Sequence, residues 1–307
     1  MRRIPLFDLR KFDANKIGFA KAVGKAFREY GFIRVVGHGI PDHLLNDAAD
    51  NASAFFELPD DVKAGFWVKG AEGFSSYTKN FEQALGAKQV DLKEEWFVRA
   101  RHPEGEPKTS RLRESYNVPQ VPGFQKSVLN LYGAFEDATV KFMRVLALYM
   151  DLEENYFDDK FDRSNSSMRL LHYPTAGTAA SHLDLNFLTW LRANKKGLYV
   201  TDRSGQEHAV VAKKGELILN GGMMLGLLTN DDMRPSWHRV EATEPRDTIV
   251  FFAHPNPDFF LSPLEAFKTA ALGIKPGYFP ADDKPITANE FLWEQIEKTK
   301  PKGAAPK

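Results

Sequence analysis

The 307-residue sequence contains no cysteine, and this absence removes several classes of protein from consideration. Without thiols the chain can form no disulfide, no zinc–thiolate site and no cysteine-ligated iron–sulfur cluster. Any metal must therefore be bound through imidazole nitrogen and carboxylate oxygen. A metal site, if there is one, is expected among the 8 histidines and the acidic residues.

The sequence also lacks net charge and long apolar runs. Lysine plus arginine and aspartate plus glutamate both number 41, which gives no support for a nucleic-acid or membrane-surface partner. No stretch approaches the roughly 20 apolar residues of a membrane span, and the N-terminus has no apolar run of signal-peptide length. We therefore expect a soluble, cytoplasmic protein. The sequence does not define the oligomeric state, and a monomer is the default expectation.

The hydrophobic pattern predicts one domain, 1–307, because neither a linker nor an internal repeat interrupts it. Residues 1–150 are helical and mixed in pattern, and we expect them to pack on a core. That core, formed by residues 165–255, is expected to be β-rich and to carry the metal site. A C-terminal segment with a helix follows at 256–297, and a disordered tail is predicted for 298–307.

Individual elements follow from periodicity. Apolar residues predict a helix that Asp13 caps and Gly31 ends, and a long amphipathic helix at 128–149. Residues 68–125 are predicted to form loops and short strands over the core. Short β-rich runs separated by turn residues favour a sandwich or barrel, and a last helix is predicted at 287–298. These runs are 168–173, 187–191, 198–201, 216–219 and 248–252.

A histidine and an aspartate two residues apart, His182 and Asp184, are candidate metal ligands. On a strand such side chains point to the same face, so both can reach one metal. His238, which lies 54 residues beyond Asp184 (238 − 184), completes a set of two histidines and one carboxylate. That set is typical of non-haem Fe(II) oxygenases. The alternative is a buried histidine pair with satisfied hydrogen bonds. A similar pattern at 102–104 (HPE) lies in a polar, proline-rich segment and is interpreted as surface.

Arg246 and Thr248 follow His238 closely and are candidate ligands for a carboxylate. A guanidinium can hold a carboxylate through two parallel hydrogen bonds, and a hydroxyl two residues along the same strand face adds another. The alternative is a surface arginine beside Asp247.

The chain resembles the isopenicillin N synthase-like branch of the Fe(II)/2-oxoglutarate-dependent dioxygenases. The resemblance covers roughly residues 4–265 and consists of motifs in the same order as in that family. The motifs are 4–9 (IPLFDL), 30–33 (YGFI), 37–40 (GHGI), 55–59 (FFELP), 91–94 (DLKE), 169–174 (RLLHYP), 182–184 (HLD), 228–230 (LTN), 238–240 (HRV) and 246–248 (RDT).

This resemblance implies a mainly β fold with flanking α-helices, built on a double-stranded β-helix (jelly roll). It implies Fe(II) bound by His182, Asp184 and His238. It also implies 2-oxoglutarate bound by Arg246 and Thr248 with help from Tyr173. The enzyme would use O2, with ascorbate as an optional reductant, and release succinate and CO2. No catalytic residue beyond the metal ligands is implied.

Three positions depart from the family pattern. Thr248 stands where serine is usual, Leu171 replaces the asparagine of an Asn-x-Tyr motif, and Met223 replaces an acidic residue. These changes leave the iron site intact and leave the substrate class open.

Strand periodicity extends the pocket to Arg169, Leu171 and Phe252, which we predict to contact substrate. Arg169 would hold an anionic substrate group or pair with a carboxylate at the edge of the core. His254 comes two residues after Phe252. It could likewise contact substrate or hold a structural position in the core, and we favour the core position.

The first functional hypothesis is a 2-oxoglutarate-dependent oxygenase that hydroxylates, desaturates or forms rings in a small molecule. An oxidase of the same fold that takes no 2-oxoglutarate is the second. The third is a non-catalytic ligand-binding protein that has kept the fold.

Overall fold

The computed structural model describes residues 4–67, 77–81, 90–101, 112–193, 195–268, 277–280 and 284–299. The 102–104 pattern lies outside these residues, as does the predicted tail from residue 300 onward. The first two residues of that predicted tail instead end the last helix. Helices in the described residues are α1 (Lys16–Tyr30), α2 (Asp42–Phe56), α3 (Asp60–Ala64), α4 (Phe124–Tyr149), α5 (Met223–Leu228) and α6 (Ala288–Thr299).

The strands of the described residues are mostly short and cluster in the second half of the chain. They are β1 (Leu6–Asp8), β2 (Phe32–Val36), β3 (Tyr77–Lys79), β4 (Glu94–Arg101), β5 (Leu112–Glu114), β6 (Ser167–Tyr173), β7 (Thr178–His182), β8 (Leu188–Ala193), β9 (Leu198–Thr201), β10 (Glu207–Val210), β11 (Leu217–Gly221), β12 (His238–Glu241), β13 (Arg246–Ala253), β14 (Phe260–Leu261) and β15 (Ile286–Thr287).

Two sheets form the jelly roll that the resemblance implied, so the predicted fold class is confirmed. The larger sheet has the order β1-β2-β11-β8-β13-β6-β4-β3, with β5 paired to β4. The smaller sheet has the order β10-β9-β12-β7. Strands β7, β10 and β12 and helix α5 were not predicted. These strands are only four or five residues long and carry charged or polar residues, so their alternation is weak.

The outer face of the large sheet is covered by α1, α2 and α4. Phe251 of β13 stacks on Phe135 of α4, with ring centroids 5.2 Å apart, and Phe142 meets Trp190 of β8 edge to face at 5.8 Å. All four side chains are at most 1% exposed. Burial of such aromatic rings is the main source of stability on this face.

The inner face of the large sheet, toward the small sheet, carries a second and smaller apolar cluster. It is formed by Ile4, Tyr30, Phe32, Leu171, Tyr173, Ala179, Leu191, Ala193, Leu198, Val200, Val210, Ala212, Ile218, Ala242 and Val250. Strand β13 contributes to both faces, because alternate side chains of a strand point in opposite directions. The same cluster also receives residues from the N-terminal part of the chain.

The connection after α1 fixes how the N-terminal part joins the jelly roll. Gly31 ends the helix as predicted, with φ 66° and its N–H bonded to the Phe27 carbonyl, a left-handed conformation that favours glycine. Ser236 Oγ donates to the Tyr30 carbonyl at 2.8 Å. The predicted cap at Asp13 is wrong, since Asn15 caps α1 by accepting from the Gly18 N–H.

No helix of the described residues combines the length and the apolar character needed to cross a membrane.

Candidate metal centre

Three predicted ligands converge between the two sheets. His182 ends β7 and His238 begins β12, and these residues are directly paired in the antiparallel ladder. Asp184 Oδ1 lies 3.9 Å from His182 Nε2 and 3.6 Å from His238 Nε2. One donor atom from each residue lies within 4.8 Å of the other two. The predicted proximity of His182 and Asp184 is observed, although Asp184 lies in the segment after β7 and not on the strand itself. The β7–β12 pairing brings in His238.

Hydrogen bonds orient each of these side chains. His182 Nδ1 donates to the Ala180 carbonyl at 2.7 Å, and His238 Nδ1 donates to the Ser236 carbonyl at 3.1 Å. Because a carbonyl can only accept, both rings carry their proton on Nδ1 and turn an unprotonated Nε2 toward Asp184. Such a backbone hydrogen bond on the second nitrogen is the usual support of a metal-binding histidine.

The aspartate is held in the same way. Asp184 Oδ2 accepts hydrogen bonds from Thr189 Oγ1 at 2.6 Å and from Asn220 Nδ2 at 2.7 Å. Its Oδ1 is the oxygen that faces the two histidines. Two nitrogens and one oxygen on one side of a point leave further coordination positions open, so the residues present fit a mononuclear iron with a facial ligand set.

The electrostatics of the site favour the metal-binding protonation states. Burial, and then the neighbouring His238, lower the pKa of His182 to about 4, so its ring is neutral at pH 7. Burial alone would raise the pKa of Asp184. The two histidines and the hydrogen bonds from Thr189 and Asn220 outweigh burial and lower it. His182 and Asp184 are therefore in their metal-binding protonation states at neutral pH.

Arg246 and Thr248 lie on the inner face of β13, opposite Tyr173 and Leu171 of β6. Each is 2% exposed. Among the described residues, neither Arg246 Nε nor Thr248 Oγ1 has a hydrogen-bond partner, although Arg246 Nη1 donates to the Lys196 carbonyl at 3.3 Å. Unpaired buried donors cost free energy unless a ligand engages them. A carboxylate would supply acceptors for both groups, so these residues fit the predicted cosubstrate.

The surface alternative for Arg246 does not hold. Asp247 points to the opposite face of β13, where its Oδ1 lies 2.7 Å from His172 Nδ1. Burial lowers the pKa of Arg246, and the guanidinium carbon lies 5.5 Å from the centroid of the Tyr173 ring. Tyr173 thus packs beside the guanidinium, as its proposed supporting role requires.

The three predicted substrate residues lie on the inner face of the same two strands. Leu171 is 6% exposed and belongs to the inner apolar cluster, and Phe252 packs against it. The Arg169 guanidinium carbon lies 4.7 Å from the centroid of Phe97 and 5.1 Å from that of Phe252. Arg169 Nη1 is 3.6 Å from Glu95 Oε1. Arg169 thus pairs with a carboxylate, as one of its two interpretations expected, and its contact with substrate stays a prediction.

A group of buried charges beside the site was missed by sequence reasoning. Lys93 Nζ lies 2.8 Å from Glu95 Oε1 and 3.5 Å from Asp91 Oδ2. Asp91 Oδ1 accepts from the Ala180 N–H at 2.9 Å, and Ala180 in turn holds His182. The alternation of Asp91, Lys93 and Glu95 at period two is a strand signal that could have revealed a shared inner face.

Comparison with known families accounts for most of the chain. Residues 4–122 match the family described as the N-terminal region of the non-haem dioxygenase in morphine synthesis. Residues 164–255, which include all three candidate ligands, match the 2OG-Fe(II) oxygenase superfamily.

Individual relatives agree with these matches. The 2-oxoglutarate-Fe(II) type oxidoreductase hxnY of Emericella nidulans is 28% identical over 94% of this chain and 88% of that protein. Gibberellin 20 oxidase 1 of Arabidopsis thaliana is 26% identical over 85% of this chain and 72% of its own length.

Solved structures agree as well. A Caulobacter crescentus protein assigned to the 2OG-Fe(II) oxygenase family is 30% identical, with a TM-score of 0.83 over 98% of this chain and 100% of that one. A Neurospora crassa protein, solved in complex with alpha-KG, has a TM-score of 0.81 over 97% of this chain and 96% of its own. At 22% identity, the second likeness concerns the fold alone.

The fold, the ligand set and these matches define the class: the chain belongs to the 2OG-Fe(II) oxygenase family. Enzymes of this class require Fe(II), 2-oxoglutarate and O2. The protein is a 2-oxoglutarate-dependent non-haem iron dioxygenase that oxidises a small molecule.

Proposed function

We propose that His182, Asp184 and His238 are the Fe(II) ligands, and that Arg246 and Thr248 bind the distal carboxylate of 2-oxoglutarate. One observation carries the assignment. The two imidazole Nε2 atoms and the Asp184 Oδ1 face one point. Strand β13 of the other sheet carries buried donors of Arg246 and Thr248, without partners among the described residues, on its inner face. Burial of these metal ligands and of these unpaired donors destabilises the protein when nothing is bound. The metal would offset the first cost, and the cosubstrate carboxylate would offset the second.

Each residue of this chain then has a definite task. When bound, iron and 2-oxoglutarate supply the activation of O2, with release of succinate and CO2. The carbonyls of Ala180 and Ser236 keep the histidine rings in the metal-binding tautomer. Thr189 and Asn220 fix the rotation of the Asp184 carboxylate, so that a single oxygen is presented to the metal.

The cosubstrate end of the pocket combines charge with exclusion of water. Arg246 is desolvated and packs beside Tyr173, and a cation in such a dry setting attracts a carboxylate more strongly than one in solvent. Leu171 lies opposite Thr248 and contributes an apolar wall there. We propose that Leu171, Arg169 and Phe252 form the substrate-facing surface.

A small organic molecule is the proposed substrate. The structures of the Neurospora crassa protein with alpha-KG and thymine, and of JOX2 with 2OG, Fe and JA, contain small molecules of this kind. Hydroxylation, desaturation and ring chemistry are all compatible with this surface. The cytoplasmic location and monomeric state expected from the composition stay predictions.

An anaerobic titration of the Fe(II)-loaded protein with 2-oxoglutarate tests the assignment. Chelation of Fe(II) by a 2-oxo acid gives a visible charge-transfer band, which should saturate for the wild-type protein. Arg246→Leu should raise the 2-oxoglutarate concentration needed by about 100-fold, the value of a charge-assisted bidentate contact. His238→Ala should abolish the band.

The same titration separates the alternatives. Iron binding without a band would favour the 2-oxoglutarate-independent oxidase, and oxygen uptake with ascorbate would then be measured. Failure of iron to bind would overturn the ligand assignment and favour a ligand-binding protein. Succinate formation, followed by chromatography in the presence of candidate substrates, should accompany O2 uptake only if the first hypothesis is correct.

A further inference from the structure

The ring of His238 needs more than its backbone position to present Nε2 to a metal. The torsion of an imidazole about its Cβ–Cγ bond is broad and roughly two-fold, so the rotamer alone does not fix where the nitrogen points. The direction of Nε2 is therefore set by the groups that touch the ring. One of them is the Ser236 carbonyl, which accepts from Nδ1 at 3.1 Å. A second set of contacts comes from a distant part of the chain.

Phe32 packs directly on the His238 ring. The two ring centroids lie 5.3 Å apart and the planes are inclined at 70°, the edge-to-face arrangement that aromatic rings prefer. Phe32 is 1% exposed and begins β2, 206 residues before His238 in the sequence (238 − 32). Rotation of the imidazole would disrupt this packing, so Phe32 limits the directions in which Nε2 can point.

The corner between α1 and β2, formed by residues 30–32, also holds the segment that leads into His238. Ser236 Oγ donates to the Tyr30 carbonyl at 2.8 Å, and the Ser236 carbonyl is the acceptor for the His238 ring. Gly31 allows this close approach, because a Cβ at that position would overlap Ser236 Oγ. The corner therefore touches His238 directly through Phe32 and indirectly through Ser236.

The neighbouring strand connects the same corner to a second ligand, Asp184. Phe32 is paired with Asn220 of β11, and Asn220 Nδ2 donates to Asp184 Oδ2 at 2.7 Å. The Gly31 carbonyl accepts from the Gly221 N–H at 3.2 Å, which holds β11 against the corner at this point. Side chains that support two of the three candidate ligands therefore lie side by side on β2 and β11.

We propose that Phe32 is a positioning residue for the iron ligand His238, and that the corner at residues 30–32 completes a metal centre whose ligands lie between residues 182 and 238. This inference rests on the proposed function, because it takes His238 as an iron ligand. Phe32 offers no atom to the metal. It restricts the imidazole before the metal arrives, so that metal binding does not have to order the ring.

A purely structural role for Phe32 makes a different prediction. If the ring only fills the inner apolar cluster, its loss should lower the free energy of unfolding and leave the affinity of the folded protein for Fe(II) unchanged. If the ring positions His238, the affinity itself should fall. Iron affinity and stability therefore have to be measured on the same variants.

Anaerobic competition with a chromophoric chelator measures the dissociation constant of the metal-free protein for Fe(II). Phe32→Leu keeps an apolar side chain but removes the ring, and should weaken Fe(II) binding about tenfold, as loss of a group that supports a metal ligand typically does. Phe142→Leu is the matched control, because Phe142 is 1% exposed and meets Trp190 edge to face on the outer side of the large sheet. It should lower stability without changing iron affinity.

A second pair of variants tests the hydrogen bond of the corner. Ser236→Ala removes the hydroxyl that donates to the Tyr30 carbonyl but keeps the backbone carbonyl that holds the His238 ring. It should weaken Fe(II) binding about three- to tenfold, the value of one neutral hydrogen bond. Ser127→Ala removes a buried hydroxyl of α4 that donates to the Phe124 carbonyl at 2.9 Å, and should leave iron affinity unchanged.

The ligand-field spectrum of the Co(II)-loaded protein gives a readout that a change in stability does not move. Its bands depend on the positions of the ligand atoms around the metal, so they should shift in Phe32→Leu and stay unchanged in Phe142→Leu. Wild-type iron affinity in Phe32→Leu, or an equal loss in Phe142→Leu, would overturn the positioning role. An unchanged Co(II) spectrum in folded Phe32→Leu would overturn it as well.

The wild type and His238→Ala distinguish failure of this role from failure of the proposed function. If the wild type binds no Fe(II), or if His238→Ala binds it equally well, the ligand assignment itself is wrong. If only His238→Ala loses iron while Phe32→Leu and Ser236→Ala bind like the wild type, only the positioning role is wrong. Should thermal melting show that Phe32→Leu does not fold, the comparison of Ser236→Ala with Ser127→Ala decides in its place.

Discussion

The two faces of β13 are built for opposite purposes. Its outer face places Ile249, Phe251 and Ala253 in the apolar core against the helices. Its inner face carries Arg246 and Thr248, followed by His254, and each has a buried polar atom without a partner in the described residues. Apolar burial on the outer face therefore stabilises the fold, whereas the unpaired polar atoms on the inner face destabilise it. Unsatisfied polar atoms in an otherwise satisfied core mark positions where a ligand belongs.

The largest expected effect is a loss of stability from a substitution on the outer face. Phe251→Ala should lower the free energy of unfolding by about 3–5 kcal/mol, because it removes the ring that stacks on Phe135 and leaves a cavity. The affinity of the folded protein for 2-oxoglutarate should be unchanged. Phe252→Ala, one residue along on the inner face and only partly buried, should cost clearly less. Urea titration measures both, and equal losses would contradict the distinction between the faces.

A pH titration sharpens the comparison through His254. The pKa of His254 is about 4 in the folded protein and 6.5 when unperturbed, so the unfolded chain binds the extra proton between these values. Stability is therefore full above pH 6.5 and falls as the pH drops toward 4, by up to about 3 kcal/mol for this group. His254→Leu should reduce that loss in urea titrations of the metal-free protein, whereas His43→Leu should not. If the free energy of unfolding depends on pH equally in His254→Leu and in the wild type, His254 is not the group responsible.

The smallest expected effect compares two threonines. Thr248→Val removes an unpaired buried hydroxyl, so the metal-free protein should gain about 1 kcal/mol while 2-oxoglutarate affinity falls about three- to tenfold. Thr139→Val should destabilise by about 1–3 kcal/mol without affecting cosubstrate binding. Its hydroxyl donates to the Phe135 carbonyl and accepts from Trp190 Nε1. Calorimetric melting measures the change in stability, and the charge-transfer titration measures the change in 2-oxoglutarate affinity. A Thr248→Val variant that loses stability would count against the ligand role of Thr248.

The sequence was most informative where a motif had a strict period. Period-two reasoning predicted that His182 and Asp184 reach one point, and they do, although Asp184 lies two residues beyond the end of β7. The same reasoning placed Arg246 with Thr248 on the inner side of β13. The fold class followed from the ordered motifs and the short β-rich runs. The geometry that unites His238 with His182 depends on strand pairing across the small sheet, which no local pattern contains.

The sequence did not predict other features of the site, because they depend on contacts between residues that are distant in the chain. Asp91, Lys93 and Glu95 resemble a solvated charged segment in the sequence, yet each is at most 7% exposed. Their burial is possible because Lys93 pairs with both carboxylates, Arg169 lies beside Glu95, and Asp91 accepts from the Ala180 N–H. Such pairing is visible only once the strands are assembled. Likewise, the unpaired state of the His254 ring is a property of the whole packed pocket and not of its neighbours in sequence.

The position of β13 also constrains the order of assembly during synthesis. In the large sheet it lies between β8 and β6, although it is made after both of them. Until residue 253 has left the ribosome, the two halves of this sheet have no strand to join them, and the outer aromatic core lacks Phe251. Completion of the fold is therefore a late event that depends on long-range pairing, which slows folding. Iron loading is accordingly expected to follow release of nearly the whole chain.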